Sequence, residues 1–226
     1  WFTVLDLKDA FFCLPLALES QKIFAFEWEN PDSGRKTQLT WTVLPQGFKN
    51  SPTIFGNQLA KDLEIWTPPD NKGILLQYVD DLLITTETKE GCILWTIELL
   101  NFLGLNGYRV SQQKAQIVQQ RVTYLGLEIS QGQRELGTER KEAICRTPEP
   151  QTAKELRTFL GMTGWCRLWI HDYGLLAKPL YELLKGNRSQ IEWTEEARSA
   201  FKKLKRELMR APALGIPDIS KPFLLF

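Results

Sequence analysis

The chain has 226 residues, 43% of them hydrophobic and 24% charged, with a formal net charge of +1. That is enough for one large or two small domains around a real core, and too apolar for a disordered or fibrous polypeptide. No apolar run approaches the roughly 18 residues that cross a bilayer, and the opening Trp1-Phe2-Thr3-Val4-Leu5-Asp6 lacks the basic segment of a secretory leader, so the chain is read as soluble.

In chain order, residues 1–7 alternate as a strand and run straight into Asp6. Residues 22–29 and 38–44 read as strands, the first followed by the turn Asn30-Pro31-Asp32-Ser33-Gly34. Ser51-Pro52 reads as an N-cap with Pro at the first helical position, opening a helix to about Trp66. Residues 74–87 are two apolar runs split by Asp80-Asp81, which predicts a tight hairpin. A helix follows over about 90–105 and ends near Gly107, then strands at 116–119, 122–129 and 134–136.

Beyond this the helical period takes over. Thr152-Ala153-Lys154-Glu155 is a capping box opening a helix through about Ile170. Further helices are expected over about 175–185 and 194–210, the last with Ala197, Phe201, Leu204 and Leu208 on one stripe. Mixed strands and helices followed by helices alone predict an α+β fold in two subdomains, divided near Gln131–Gly137. The chain opens on a strand and closes on the apolar run Lys221-Pro222-Phe223-Leu224-Leu225-Phe226, so it is read as a segment of a longer polypeptide.

Charge divides along the same line. Residues 1–131 hold 11 Lys+Arg against 15 Asp+Glu, net −4, and residues 132–226 hold 17 against 12, net +5. An acidic metal-binding core beside a polyanion-holding arm would look like this, as would chance partition of surface charge. The one histidine, His171, has no nearby serine, which disfavours a Ser-His-Asp hydrolase and reads as a loop or helix-end residue. Cys13, Cys92, Cys145 and Cys166 stand without a CxxC spacing, so neither a structural zinc nor a disulfide framework is expected.

Two adjacent carboxylates inside the apolar runs Leu75–Val79 and Leu82–Ile84 are costly to desolvate without a neutralising partner. A surface turn alone would account for the pair. Asp6, at the end of a similar apolar strand, adds a third carboxylate if that strand lies beside the turn. Such an all-oxygen set suits Mg²⁺ and phosphate chemistry. In the helix after Thr152, Arg157, Gly161 and Trp165 share one face at i, i+4, i+8. A mid-helix Gly costs about 1 kcal/mol relative to Ala, so something is expected to approach there. The run Lys202-Lys203-Leu204-Lys205-Arg206 reads as a solvated helix face, with phosphate contacts as the alternative.

Three blocks, Val4-Leu5-Asp6-Leu7-Lys8-Asp9-Ala10-Phe11-Phe12, Leu44-Pro45-Gln46-Gly47-Phe48-Lys49-Asn50-Ser51-Pro52 and Tyr78-Val79-Asp80-Asp81, come in the order and spacing of the polymerase motifs of retroviral reverse transcriptases. The Val of the Tyr-Val-Asp-Asp box, with Phe12, Phe48-Lys49-Asn50 and Tyr124-Leu125-Gly126, most resembles the gammaretroviral type and related endogenous retroviruses. The resemblance implies an antiparallel palm with a partial fingers hairpin and a helical thumb: palm at 1–13, fingers at 14–50, palm at 51–131, thumb at 132–211 and the start of a connection at 212–226. It implies RNA-directed DNA polymerase activity, two Mg²⁺ ions with Mn²⁺ as a substitute, and dNTP and an RNA/DNA template–primer duplex as partners, with no membrane. The setting would be the cytoplasm or a virion.

The same resemblance assigns roles. Asp6, Asp80 and Asp81, with the Leu7 carbonyl, would hold metal, and Lys114 would protonate the leaving pyrophosphate. Asp9 and Ala10 would offer N–H groups to the triphosphate, Phe11 would exclude a ribose 2′-OH, and Gln46 would lie over the nucleotide. Gly47, Tyr78, Leu125, Gly126, Arg157, Gly161 and Trp165 would meet primer and template, with Leu127 standing where an aromatic is common. The rest of a Pol polyprotein (upstream fingers, connection and ribonuclease H) is implied outside this chain. Without those fingers, a retroelement-derived nucleic-acid-binding module lacking turnover is the alternative. A phosphodiesterase using the same aspartates is a weaker third reading, because it leaves Phe11 and the Arg157 face without a role.

Overall fold

The computed structural model describes residues 1–185, 190–217 and 221–222. They fall into two compact units, Trp1–Val122 and Thr123–Phe226, and antiparallel sheets with helices make an α+β fold. The expected strand at 223–226 lies outside the described residues.

The first unit is built on β1 (Phe2–Asp6). A short helix α1 (Leu18–Gln21) follows, then the exposed hairpin β2 (Phe26–Glu29) and β3 (Lys36–Leu39), α2 (Ser51–Ile65), β4 (Gly73–Tyr78), β5 (Asp81–Thr86), α3 (Lys89–Leu105) and β6 (Gln116–Gln119). The main sheet has the order β4-β5-β1-β6 and is antiparallel throughout. Side chains directly opposite each other across a ladder share a face. Leu5 opposes Leu82 on the helix side, and both join Phe55 and Leu59 of α2 and Trp95, Leu99 and Leu103 of α3 in one core. The buried Thr3 on this face is satisfied: its hydroxyl accepts from the Val118 N–H at 3.0 Å and bonds the Thr96 hydroxyl at 2.8 Å.

Local expectations fail where tertiary partners intervene. The strand expected at 22–29 begins only at Phe26, because Lys22–Phe24 form a 3₁₀ turn after α1. That expected at 38–44 is shifted to Lys36–Leu39, since Leu16 and Leu44 N–H groups bond Thr42 and Leu14 carbonyls instead. Ser51 is not an N-cap. Its hydroxyl donates to the Pro45 carbonyl at 2.7 Å, and Asn50 precedes the helix without a side-chain cap.

The second unit carries the sheet β10-β9-β8-β7, formed by β7 (Arg121–Tyr124), β8 (Leu127–Ser130), β9 (Gln133–Leu136) and β10 (Leu214–Gly215). The strand expected over 122–129 is therefore a hairpin, turned at Leu125-Gly126 where both φ are positive (50° and 78°). With it come α4 (Thr138–Arg146), α5 (Ala153–Trp165), α6 (Tyr173–Glu182) and α7 (Glu195–Met209). The Thr152/Glu155 capping box is formed in both directions, but α5 stops at Trp165 and a 3₁₀ turn replaces its expected last turn.

Leu156, Phe159 and Leu160 of α5 pack with the Ala197, Phe201, Leu204 and Leu208 stripe of α7. Leu136 belongs to this core and Leu127 packs on it. Strands β8 and β9 thus go with the helices, and the two units divide at Val122/Thr123, ahead of the 131–137 stretch where composition changes. In the basic run, Lys205 turns inward over the Phe201 ring (4.3 Å) and bonds the Thr147 carbonyl, while Lys202 and Lys203 stay exposed.

Candidate active site

Strand register assembles the acidic site. Asp6 lies directly opposite Asp81, and Tyr78 closes the β4–β5 hairpin opposite the same residue. Asp80 occupies the intervening turn, whose carbonyl accepts from the Leu7 N–H at 3.1 Å. The Ser111 N–H donates to the Asp6 carbonyl at 2.8 Å, and Leu7 bridges Val110. The backbone around the first carboxylate is therefore pinned from both sides.

A cavity of about 620 Å³ opens here, lined by Asp6, Leu7, Asp9, Ala10, Phe11, Gln46, Asp80 and Lys114 among others. Asp81 stands beside it. Burial first, and then the charges of Asp80 and Asp6, raise the Asp81 carboxyl above its ordinary range, with Lys114 opposing them. Lys114 Nζ sits 3.3 Å from both carboxylate oxygens of Asp6. Carboxylate oxygens suit a hard divalent ion, so in chemistry and register Asp6, Asp80 and Asp81 fit Mg²⁺. Their side chains stand apart, however: among the described residues no three His, Cys, Asp or Glu are grouped to hold a metal.

The other predicted residues of this unit divide into two groups. Asp9 takes a left-handed φ of 53° and leads into the 3₁₀ turn Ala10–Cys13, whose first N–H groups have no partners within the turn. Phe11 is held edge-on against the buried Phe55 at 5.8 Å, which fixes its ring at the cavity wall. Gln46 is exposed on the lining, and Gly47 beside it has φ 88° with open space where a side chain would project. Its glycine is required by backbone conformation. Tyr78 is exposed on β4 and does not line the cavity.

In the second unit, Leu125 is 40% exposed at the hairpin tip, beside Gly126. Arg157, Gly161 and Trp165 are exposed on α5, while Leu156, Phe159, Leu160 and Thr163 fill its core side. No atom lies within 4 Å of a Cβ built at Gly161, so the space beside it is open.

Two residues of the site carry no assignment from sequence. Arg109 Nη2 donates to Asp9 Oδ2 at 2.9 Å across 100 positions, and nothing local signals that pairing. Gln77 Nε2 donates to both the Gly56 and Val79 carbonyls, each at 3.0 Å, tying α2 to the turn ahead of Asp80. Val79 there holds a left-handed φ of 55°, unfavourable for a β-branched residue. A signal did exist: Gln77 is the lone amide in an apolar run leading to the doublet.

Residues 1–129 match the family described as reverse transcriptase (RNA-dependent DNA polymerase). Across all 226 residues the chain is 55% identical to the Pol polyprotein of feline endogenous virus ECE1, covering 22% of it, and 52% identical to the Gag-Pol polyprotein of feline leukemia virus, covering 13%. It thus spans less than a quarter of either relative. The foamy viral protease-reverse transcriptase dRH solved with double-stranded DNA aligns with a TM-score of 0.85 at 32% identity, over 96% of this chain and 36% of that one. A foamy viral protease-reverse transcriptase solved with an RNA/DNA hybrid gives 0.81 at 33%, over 93% and 27%.

Proposed function

The chain belongs to the reverse transcriptases, and on that premise we propose that it is the core of an RNA-directed DNA polymerase, adding a deoxynucleotidyl group from a dNTP to a primer 3′-OH on an RNA or DNA template. Residues 1–13 and 51–131 would serve as palm, 14–50 as part of the fingers, 132–211 as thumb and 212–226 as the start of a connection. The observation that carries the reading is the pairing of Asp6 with Asp81 beside the Asp80 turn, on a cavity shared with Phe11, Gln46 and Lys114.

Asp6, Asp80 and Asp81, with the Leu7 carbonyl, would hold two Mg²⁺ ions, which when bound neutralise charge building on the transferred phosphoryl group. The remaining work falls to the chain itself. N–H groups at Asp9 and Ala10 receive phosphate oxygens at the start of the 3₁₀ turn, and Arg109 offsets the Asp9 charge that would repel them. Phe11, braced by Phe55, fills the space a 2′-OH would need. Gln46 lies against the nucleotide, and Lys114 leaves Asp6 to give its proton to departing pyrophosphate. Leu125-Gly126 and the Arg157, Gly161 and Trp165 face hold the duplex.

The test is primer extension on an RNA template with a DNA primer, comparing the chain with Asp80→Asn. Mg²⁺-dependent product lost in the variant, with duplex affinity kept, is the expected result. Extension that survives removal of Asp80 would overturn the metal assignment. Salt-sensitive binding without product from the unsubstituted chain would favour the binding-module alternative.

A further inference from the structure

Arg140, on α4, has a half-buried side chain that no motif predicts. Its guanidinium carbon lies 3.9 Å from the ring centroid of Trp165, the aromatic at the end of the exposed α5 face. The same group lies against the hairpin tip. A Cβ built at Gly126 would stand 2.5 Å from Nη2, 2.9 Å from Cζ and 3.2 Å from Nε, so the guanidinium occupies the space a side chain would take. Gly126 is thus required twice, by its φ of 78° and by this contact.

The contacts continue into the fold. Trp165 stacks on Trp169, with centroids 6.1 Å apart and planes 19° from parallel, and Trp169 is buried. The Trp169 Nε1–H donates to the Arg134 carbonyl at 3.4 Å, and the Arg134 guanidinium lies 5.8 Å over the same indole. Arg134 is on β9, which pairs with β8, the strand leaving the Leu125-Gly126 turn. The circuit from turn to Arg140, Trp165, Trp169, β9 and back through β8 is closed.

We propose that Arg140 is a positioning residue that splints the Leu125-Gly126 turn to Trp165, so that hairpin tip and helix face meet a nucleic-acid duplex as one surface. The duplex rests on the polymerase reading above. The splint itself rests only on contacts within the second unit. A planar cation suits the task because it stacks on an indole and lies flat along a glycine, which an ammonium cannot do.

The experiment uses the whole chain with Arg140→Lys, Arg140→Gln, Arg140→Ala, Gly126→Ala and the Arg140→Ala/Gly126→Ala double variant. Affinity for a short RNA–DNA hybrid is titrated against KCl, and melting midpoints are recorded without nucleic acid. A splint predicts that Lys and Gln both weaken the hybrid about tenfold, and that Lys leaves the salt slope unchanged. It also predicts that Gly126→Ala lowers the melting midpoint much less once Arg140 is Ala, because the clash is gone while the backbone strain remains. Full affinity with Lys, together with a slope reduced by about one with Gln, would make Arg140 a phosphate contact and overturn the proposal, as would additive melting shifts. If the unsubstituted chain binds no hybrid, the polymerase reading fails, and the melting cycle still decides the splint.

Discussion

Gln77→Leu tests whether the carboxylate-bearing turn is held by one amide. The substitution removes two hydrogen bonds, to the Gly56 and Val79 carbonyls at 3.0 Å each. At about 0.5–1.5 kcal/mol apiece, the loss is about 1–3 kcal/mol. Because both partners are carbonyls, only a two-proton donor satisfies them, and Gln77→Glu should fare no better than Leu. The tether also offsets the left-handed Val79, a conformation costing an L-residue about 1–2 kcal/mol. With Val79 the untethered turn recovers part of that strain by relaxing, whereas Val79→Gly has none to recover, so in its background Gln77→Leu should cost about 1 kcal/mol more. Urea unfolding followed by fluorescence reads this directly. With m near 2 kcal/mol/M, Gln77→Leu lowers the midpoint by about 1 M, and by about 0.5 M more when Val79 is Gly. Equal midpoint drops in both backgrounds, or a change in Gln77→Leu below about 0.3 M, would refute the tether.

Asp81→Asn should raise the melting temperature at pH 7. The folded carboxyl titrates above its unfolded value, so ionising Asp81 destabilises the fold as pH rises from about 4 through that raised value. The gain should vanish below about pH 4, where wild-type Asp81 is also protonated, and a gain independent of pH would count against mutual carboxylate repulsion. Lys114→Gln removes the cation on Asp6; calorimetry should then find tighter Mg²⁺ binding to the free chain, while single-turnover extension slows. Unchanged Mg²⁺ affinity would show that Lys114 does not compete for the site. Phe11→Val opens the wall braced by Phe55, and its rNTP to dNTP ratio in kcat/KM should rise. A ratio that stays level would leave Phe11 a packing residue.

What could be read from the chain were features set by near neighbours in sequence. The apolar runs flanking Asp80-Asp81, the Asn30–Gly34 turn, the Thr152/Glu155 box and the Ala197–Leu208 stripe each depend on residues a few positions apart, and each is formed. The resemblance to reverse transcriptases likewise marked Asp6, Phe11, Gln46 and Lys114, and they line one cavity.

What tertiary structure decided were the features whose partners lie far along the chain. Strand register set Asp6 across from Asp81, because a one-residue slip would have turned it to the helix side. Ser51 would cap its helix but for the Pro45 carbonyl within its reach. α4 escaped notice because its charged sequence holds one buried anchor, Ile144. Arg109, Gln77 and Arg140 gain their roles from Asp9, Gly56 and Gly126, which no local pattern relates to them. Local propensity acts over a turn or a strand, whereas a charge or a donor is satisfied by whatever the folded chain brings within about 3 Å.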